Sequence, residues 1–132
     1  MTDIITRDIL FFFDGKPFEL SLYERLAGAL LSAYPETTIK VQKTQIGFCD
    51  RHLFACVSLT PVRRRAGRPE HFVTVSFGLD RPLDDPRALA VQVRSNRWTH
   101  HVVVGEPDEI NEALMDWIDR SHGLARKEPK HA

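Results

Sequence analysis

The sequence has few of the features that mark secreted, membrane or metal-binding proteins. Its two cysteines, Cys49 and Cys56, are too few for a disulfide scaffold, and their spacing fits no zinc motif. The longest apolar run, Ile9–Phe13, is far shorter than the ~20 residues that span a membrane. The N-terminus has no basic segment followed by an apolar run and a small-residue cleavage site. We therefore expect a soluble cytoplasmic protein that binds no metal.

The chain also has no excess of charge of either sign, since 18 lysine and arginine residues balance 18 aspartate and glutamate residues. A neutral chain has no overall field that would attract nucleic acid or an anionic membrane. The one dense basic cluster, Arg63–Arg68, has no aromatic residues between its arginines that could stack on bases. Association with nucleic acid through this loop is an alternative function, but the composition argues against it.

Hydrophobic periodicity predicts three helices. The first, Ile4–Phe13, is interpreted as a short helix capped by Thr6, although three consecutive phenylalanines also fit a buried strand. The second, Phe18–Tyr34, is amphipathic and ends before a proline. The third begins at Pro107 and is terminated by Gly123. Their apolar stripes are Leu22, Leu26, Leu30 and Ala33 in the second helix, and Ile110, Leu114, Trp117 and Ile118 in the third.

The segment between the second and third helices has the pattern of short strands joined by short loops. A run of strands kept apart from the helices favours an α+β fold over alternating βαβ units. We predict a single, mostly antiparallel sheet of about five short strands, with the N-terminal and C-terminal helices packed on one face. Residues 1–124 form this domain, and residues 125–132 are expected to be a disordered basic tail.

One polar tract in the middle of the chain changes the positions of its apolar residues. Ile39 and Val41 hold odd positions, whereas Ile46 and Phe48 hold even ones. Because a strand alternates its faces with a period of two, the change predicts a bulge or a bend in Gln42–Gln45.

The next strand is predicted to pair with this tract through a tight hairpin. If Asp50-Arg51 forms a two-residue tip, Phe48 lies opposite Leu53 and the apolar faces of the two strands agree. A three-residue loop that includes His52 is the alternative, because Asp-Arg is a poor hairpin tip.

Side chains that donate hydrogen bonds crowd the irregular tract. Lysines supply charge, while amide and hydroxyl groups supply directional bonds, so such a set is suited to hold a carboxylate or phosphate. The alternative is a solvated strand face in which lysine protects a sheet edge from aggregation. The predicted ligand residues of this tract are Lys40, Gln42, Lys43, Thr44 and Gln45.

A second polar tract, Asn96–His101, lies at the start of a predicted strand. Trp98 beside Arg97 offers a platform for stacking, although a tryptophan there also serves packing. Adjacent histidines on a strand point to opposite faces, so His100 and His101 do not chelate one metal, and one of them faces the core. Arg97, Trp98 and His100 complete the predicted ligand set.

Five segments together form a distinctive pattern: Phe13 with Gly15-Lys16-Pro17, Leu22-Tyr23, Thr37–Ile46, Arg51–Ala55 and Asn96–Val103. They resemble the bacterial family called domain of unknown function 5655, over most of the chain from about Phe11 to Ile118. The resemblance implies no activity, because the family has none established. The layout is more remotely similar to frataxin-like iron chaperones, which implies an acidic iron-binding surface. This chain has no acidic ridge on a helix at its N-terminus, and Glu19 and Glu24 are isolated from each other in the sequence.

We expect a small ligand- or partner-binding module whose site joins the tracts Lys40–Gln45 and Arg97–His101 on the exposed sheet face. The ligand is an anionic small molecule or a protein partner, and no cofactor is expected. An enzyme that uses His100 or His101 as general acid and base with a nearby carboxylate is the alternative from another class. A monomer and a homodimer through an edge strand are both compatible with the sequence.

Overall fold

A computed structural model of the protein describes residues 4–61 and 69–127. In this part of the chain the helices are α1 (Ile4–Phe12), α2 (Pro17–Ala33) and α3 (Glu112–Lys127), and a short 3-10 helix spans Pro107–Glu109. The strands are β1 (Thr38–Val41), β2 (Gln45–Asp50), β3 (His52–Ser58), β4 (Val73–Leu79), β5 (Ala88–Arg94) and β6 (Arg97–Val104). The predicted arginine loop, Arg63–Arg68, and residues 128–132 of the predicted tail lie outside the described residues. Within those residues, no helix has the length and apolar character needed to cross a membrane.

The described strands form one antiparallel sheet in the order β1-β2-β3-β4-β6-β5. β6 lies between β4 and β5, so the chain passes over one strand position after β4 and then returns. β1 and β5 are the two edges. The predicted α+β class and antiparallel sheet are confirmed, with six strands rather than five in the described residues.

The change of apolar positions between Val41 and Ile46 comes from a bend at Lys43-Thr44, so of the two predicted causes the bend is confirmed and the bulge is not. β1 and β2 form a hairpin in which Val41 pairs with Ile46, and the Gln42 amide donates to the Gln45 carbonyl at 2.8 Å. Partners across this reversal have position numbers of opposite parity. One face of the sheet therefore carries odd-numbered residues of β1 and even-numbered residues of β2, so a chain reversal explains the pattern without a bulge.

The turn between β2 and β3 is tighter than the predicted two-residue tip. Asp50 pairs with His52, so Arg51 alone reverses the chain, and it does so with a left-handed φ of 70°. A residue with a Cβ atom carries backbone strain in this region.

The bulge of this hairpin lies in β3. Phe48 pairs with Ala55 and Cys49 with Leu53, so the register shifts by one residue and Phe54 has no partner in β2. The predicted pairing of Phe48 with Leu53 is therefore wrong. Leu53, which was expected on the apolar face, is 50% exposed, whereas Phe54 is buried.

The two N-terminal helices follow the prediction except at one cap. α1 spans Ile4–Phe12, so Thr6 lies inside the helix rather than at its start. α2 begins with Pro17 in its first turn. Proline is tolerated there because the first backbone amides of a helix have no hydrogen-bond partner within the helix. Its predicted stripe is fully buried at Leu22, Leu26 and Leu30.

The C-terminal helix begins and ends later than predicted. Pro107 opens only the 3-10 helix, and α3 begins at Glu112. Gly123 lies inside α3, which continues to Lys127 and so includes the first three residues of the predicted tail. Burial of Ala125 beyond the glycine offsets the ~0.5–1 kcal/mol that glycine costs in a helix. The predicted stripe is buried at Ile110, Leu114 and Ile118.

The helices cover one face of the sheet, as predicted. Tyr23 of α2 stacks on Phe48 with 6.0 Å between ring centroids, and Trp117 of α3 stacks on Phe77 with 6.2 Å. We call the opposite side the open face. By the strand register it carries Lys40, Gln45, Cys56, Ser58, Thr74, Ser76, Leu89, Val91, Thr99 and His101.

Candidate functional site

The seam between β3 and β4 is the place where the sheet opens. The register between these strands consists of Cys56 with Ser76, Val57 with Val75 and Ser58 with Thr74. Both strands continue beyond the first of these pairs, β3 back to His52 and β4 on to Leu79. Their ends therefore separate instead of completing a ladder.

Ser121 of α3 bridges the separated strands. Its hydroxyl donates to the Phe54 carbonyl at 2.7 Å and accepts a hydrogen bond from the Gly78 amide at 3.2 Å. Buried backbone groups that have left a ladder need other partners, and Ser121 is only 4% exposed. One helix side chain thus satisfies a carbonyl and an amide that the open seam would leave unpaired.

The separation opens a pocket of about 360 Å³, which we call the β3–β4 groove. α3 provides one side, the start of β3 a second and the β5–β6 hairpin a third. The lining residues are His52, Leu53, Gly78, Val93, Arg94, Arg97, Trp98, Thr99, Ser121, Leu124 and Ala125. An adjoining pocket of about 200 Å³ shares Leu53, Gly78 and Thr99, and extends along the open face to Cys56 and Ser76.

Two arginines lie opposite each other at the hairpin side of the groove. Arg94 ends β5 and Arg97 begins β6, and the sheet pairs them directly across the turn. Asn96 in that turn has a left-handed φ of 60°, which asparagine tolerates, and its carbonyl accepts a bond from Arg97 Nη1 at 2.9 Å. Two guanidinium groups therefore belong to the same side of the groove.

His52 is another lining residue of the groove. Its Nε2 is shielded from water and has no hydrogen-bond partner among the described residues. A buried polar atom without a partner costs about 1–3 kcal/mol.

Only part of the predicted ligand set lies in the groove. Arg97 and Trp98 line it. Gln42, Lys43 and Thr44 are exposed at the β1–β2 hairpin and line a different pocket of about 730 Å³ beside α1. Asp8 also lines that pocket. The positive charge of Lys43 there is therefore accompanied by a negative one.

The two polar tracts lie at opposite corners of the sheet. Because β2, β3, β4 and β6 are successive neighbours, three strand spacings, about 14 Å, separate Gln45 from β6. Their ends also differ: Gln45 pairs with Ser58 at one end of the sheet, whereas Trp98 pairs with Leu79 at the other. Lys40 is exposed on β1, further from the groove. The tracts therefore do not line a common pocket.

His100, which belongs to the predicted ligand set, is in the core. It is fully buried and stacks on Phe77 with 5.4 Å between centroids. The Leu83 amide donates to its Nε2 at 3.0 Å, and burial lowers the pKa of the imidazole. His100 is the histidine that faces the core, and its neighbour lies on the open face.

A polar row crosses the open face beside the groove. Ser76 Oγ lies 2.7 Å from His101 Nδ1, and Cys56 Sγ lies 3.8 Å from Gln45 Oε1. Burial raises the pKa of the Cys56 thiol, against a hydrogen bond with Ser76, and burial lowers the pKa of His101. The row is therefore uncharged near neutral pH.

Histidine–carboxylate pairs occur elsewhere, at positions that the sequence pattern did not reveal. His71 Nδ1 lies 3.1 Å from Glu19 Oε2, and His122 Nε2 lies 2.8 Å from Asp50 Oδ2. In the part of the chain that the structure describes, no group of three or more His, Cys, Asp or Glu residues is placed to hold a metal ion.

Sequence reasoning missed Arg94, His52 and Ser121 as groove residues. Arg94 had a partial signal, because serine and asparagine are both common in turns, and a two-residue hairpin at Ser95-Asn96 places Arg94 opposite Arg97. His52 and Ser121 had no signal in the sequence. The position of His52 depends on the tight turn at Arg51, and that of Ser121 depends on the separation of β3 from β4.

These features define a small α+β domain with an antiparallel sheet, one helix-covered face and a groove at the seam of β3 and β4. A model of the family described as domain of unknown function (DUF5655) matches residues 11–125, and the chain belongs to this family. The family description assigns no activity. No curated protein and no solved structure matches the chain, and the remoter frataxin-like similarity has no support from a match.

Proposed function

We propose that the protein is a binding module that holds a small anionic molecule in the β3–β4 groove. The observation that carries this proposal is the pair of arginines, Arg94 and Arg97, set opposite each other beside a pocket. A guanidinium group matches the planar geometry of a carboxylate or phosphate and can bond to it twice.

The rest of the lining supports a ligand that is only partly polar. Leu53, Val93, Leu124 and Ala125 offer apolar surface, and Thr99 offers a hydroxyl-bearing side chain. Small-molecule sites commonly combine an apolar lining with a few polar groups that fix orientation. The ligand class is therefore an organic carboxylate or phosphate with a small apolar part.

A thermal-shift series tests this proposal with inorganic phosphate and a panel of small organic carboxylates and phosphates. A ligand present at 100 times its Kd stabilises the folded state by about 2.7 kcal/mol, so a bound compound should raise the Tm of the wild type clearly. Arg97→Gln should abolish the shift. Arg97→Lys should keep only part of it, because lysine retains the charge but not the two-bond geometry.

Lys43→Gln is the matched control, since it removes one positive charge at the exposed β1–β2 hairpin. This variant should respond to ligand as the wild type does. A shift lost in Lys43→Gln and retained in Arg97→Gln would overturn the groove proposal in favour of the hairpin. Absence of a shift with every compound would exclude small anions from these classes.

Enzymatic use of His101 is the second candidate. Its Nδ1 lies 2.7 Å from Ser76 Oγ, and the lowered pKa keeps the imidazole neutral and able to accept a proton near neutral pH. In the described residues, however, no carboxylate forms a hydrogen bond with His101 or with His100. Equal rates of hydrolysis of an activated ester by wild type and His101→Gln would end this candidate.

Two further expectations remain proposals. A cytoplasmic location is supported by Cys49 and Cys56 being free thiols, as is usual in a reducing compartment. Nucleic-acid association through Arg63–Arg68 gains no support, because that loop lies outside the described residues. Binding whose affinity is the same at ~50 and ~200 mM salt would exclude it.

A further inference from the structure

The two edges of the sheet differ in their protection against strand pairing. β1 has four residues and exposes Lys40, and both a short length and a charged side chain discourage the addition of another strand. β5 has seven residues and a register shift between Gln92 and Arg94, and its stretch Ala88–Gln92 before that shift has no charged residue and no proline. Among the described strands, none pairs with the outer side of β5.

The β5 edge also exposes apolar side chains. Leu89 and Val91 lie opposite His101 and Thr99 of β6, on the open face. They are 46% and 44% exposed. A long edge strand with exposed apolar residues is the kind of edge that pairs with another chain.

Backbone groups of β5 are also directed away from the sheet. The Ala88 amide donates to the Asp85 carbonyl at 3.0 Å instead of bonding across to β6. In an antiparallel ladder, alternate residues direct both backbone groups to the same side. The amide and carbonyl of Ala90, two residues on, therefore point outward.

We propose that this edge pairs with β5 of a second copy of the chain, antiparallel and centred on Ala90. In that register the outward backbone groups of Ala90 bond to those of the partner's Ala90 across a two-fold axis. Leu89 then lies opposite the partner's Val91 on the open face, so the two exposed apolar residues cover each other. The sheets of both copies become continuous.

The charges at the two ends of β5 favour this direction of pairing. Two carboxylates, Asp84 and Asp85, and one arginine, Arg87, precede the strand, so this end is acidic by one charge, and Arg94 ends the strand. Antiparallel pairing brings the acidic end of one copy to the basic end of the other, at both ends of the interface. Parallel pairing would bring like charges together, and such complementarity selects orientation.

Light scattering of the full chain, across a concentration series from the micromolar range upward, tests the proposal. The wild type should reach twice the mass of one chain. Val91→Lys should lose the dimer, because in each copy a lysine would replace the apolar residue that covers the partner's Leu89. Ala90→Pro should lose it as well, because proline removes the outward amide hydrogen without removing a bond to β6.

Thr38→Lys is the matched control, since it adds a lysine to the open face at the other edge. This variant should remain dimeric. Far-UV circular dichroism checks that each variant is folded. If Ala90→Pro does not fold, Val91→Lys decides the outcome, because it leaves the backbone hydrogen bonds unchanged. A monomeric wild type throughout the series overturns the proposal, as does a dimer that survives Val91→Lys and is lost in Thr38→Lys.

Oxidative cross-linking tests the register. Ala90→Cys should form a disulfide-linked dimer, because directly opposed residues in a hydrogen-bonded pair have Cα atoms about 5.5 Å apart, within disulfide reach. Thr38→Cys should stay at the background set by the native Cys49 and Cys56. Equal cross-linking of the two variants would overturn the Ala90-centred register.

Discussion

The groove depends on a single hydroxyl group, that of Ser121. It serves the Phe54 carbonyl and the Gly78 amide at once. Ser121→Ala leaves both without this partner in a buried place, where an unsatisfied group costs about 1–3 kcal/mol. We expect a loss of unfolding free energy in that range, measured by urea denaturation.

Ser21→Ala is the control for this prediction. Ser21 Oγ also donates to a backbone carbonyl, that of Phe18 at 2.7 Å, but it is exposed. Water can replace that bond, and alanine favours the helix. A Ser121→Ala variant no less stable than Ser21→Ala would contradict the bridging role.

Asp50 gives the protein a pH-dependent part of its stability. The hydrogen bond from His122 is the largest cause that holds the pKa of this carboxyl below its usual value; burial opposes it and Arg126 adds to it. A carboxyl with a lower pKa in the folded state stabilises the fold above its unfolded pKa of ~4. That contribution is lost as the pH falls through the folded pKa.

Asp50→Asn should therefore be less stable than the wild type at neutral pH, and this difference should shrink on acidification. Urea denaturation at several pH values measures both quantities. Asp14→Asn, at an exposed residue, controls for the loss of one surface carboxylate. A stability difference between Asp50→Asn and wild type that stays constant from neutral to acidic pH would contradict the assignment.

At the scale of single elements, two glycines differ in what a side chain would do. A Cβ atom added at Gly28 or at Gly15 meets no atom within 4 Å. Gly28 lies within α2 and is exposed, whereas Gly15 has a left-handed φ of 73°. Gly28→Ala should stabilise the protein by about 0.5–1 kcal/mol, and Gly15→Ala should destabilise it by about 1–2 kcal/mol.

Thermal and urea denaturation of the two variants check this pair. Because neither substitution creates a clash, the difference in sign isolates backbone conformation from packing. Destabilisation by Gly28→Ala would show that α2 is not a regular helix at this position.

The helices and the fold class were predictable because their signal is periodic. Leu22, Leu26 and Leu30 repeat at a helical spacing and are buried together. The strand pairing was not predictable to the same degree, since the parity change before Ile46 is produced equally by a bulge and by a chain reversal. Lys43-Thr44 is not a dipeptide that signals a hairpin, so the sequence could not distinguish a bulge from a chain reversal.

The candidate site was half predictable for a related reason. Arg97 and Trp98 stand out in the sequence as a polar tract at a strand start. Their neighbours in the groove come from β3, β5 and α3, and the sequence does not show which strand loses its partner or which helix residue bridges the gap. Lys40–Gln45 appeared equally suited to an anion, but sheet order places that tract at the opposite corner.

At the scale of the whole molecule, the sheet consists of β1-β2-β3 and β4-β6-β5 joined at a short seam. The groove lies at one end of this seam, and the unprotected edge of β5 lies on the outer side of the second set. Arg94, at the end of β5, borders the groove and also ends the proposed pairing strand. Ligand binding and self-association are thus placed on neighbouring parts of one hairpin.

Mapping of backbone amide chemical shifts by NMR during titration with phosphate and a small organic carboxylate tests the groove most directly. Saturable shifts should appear at Leu53, Gly78, Thr99 and Ala125, and they should be lost in Arg97→Gln. Shifts confined to the Gln42–Gln45 hairpin, or no saturable shifts with either anion, would contradict the account.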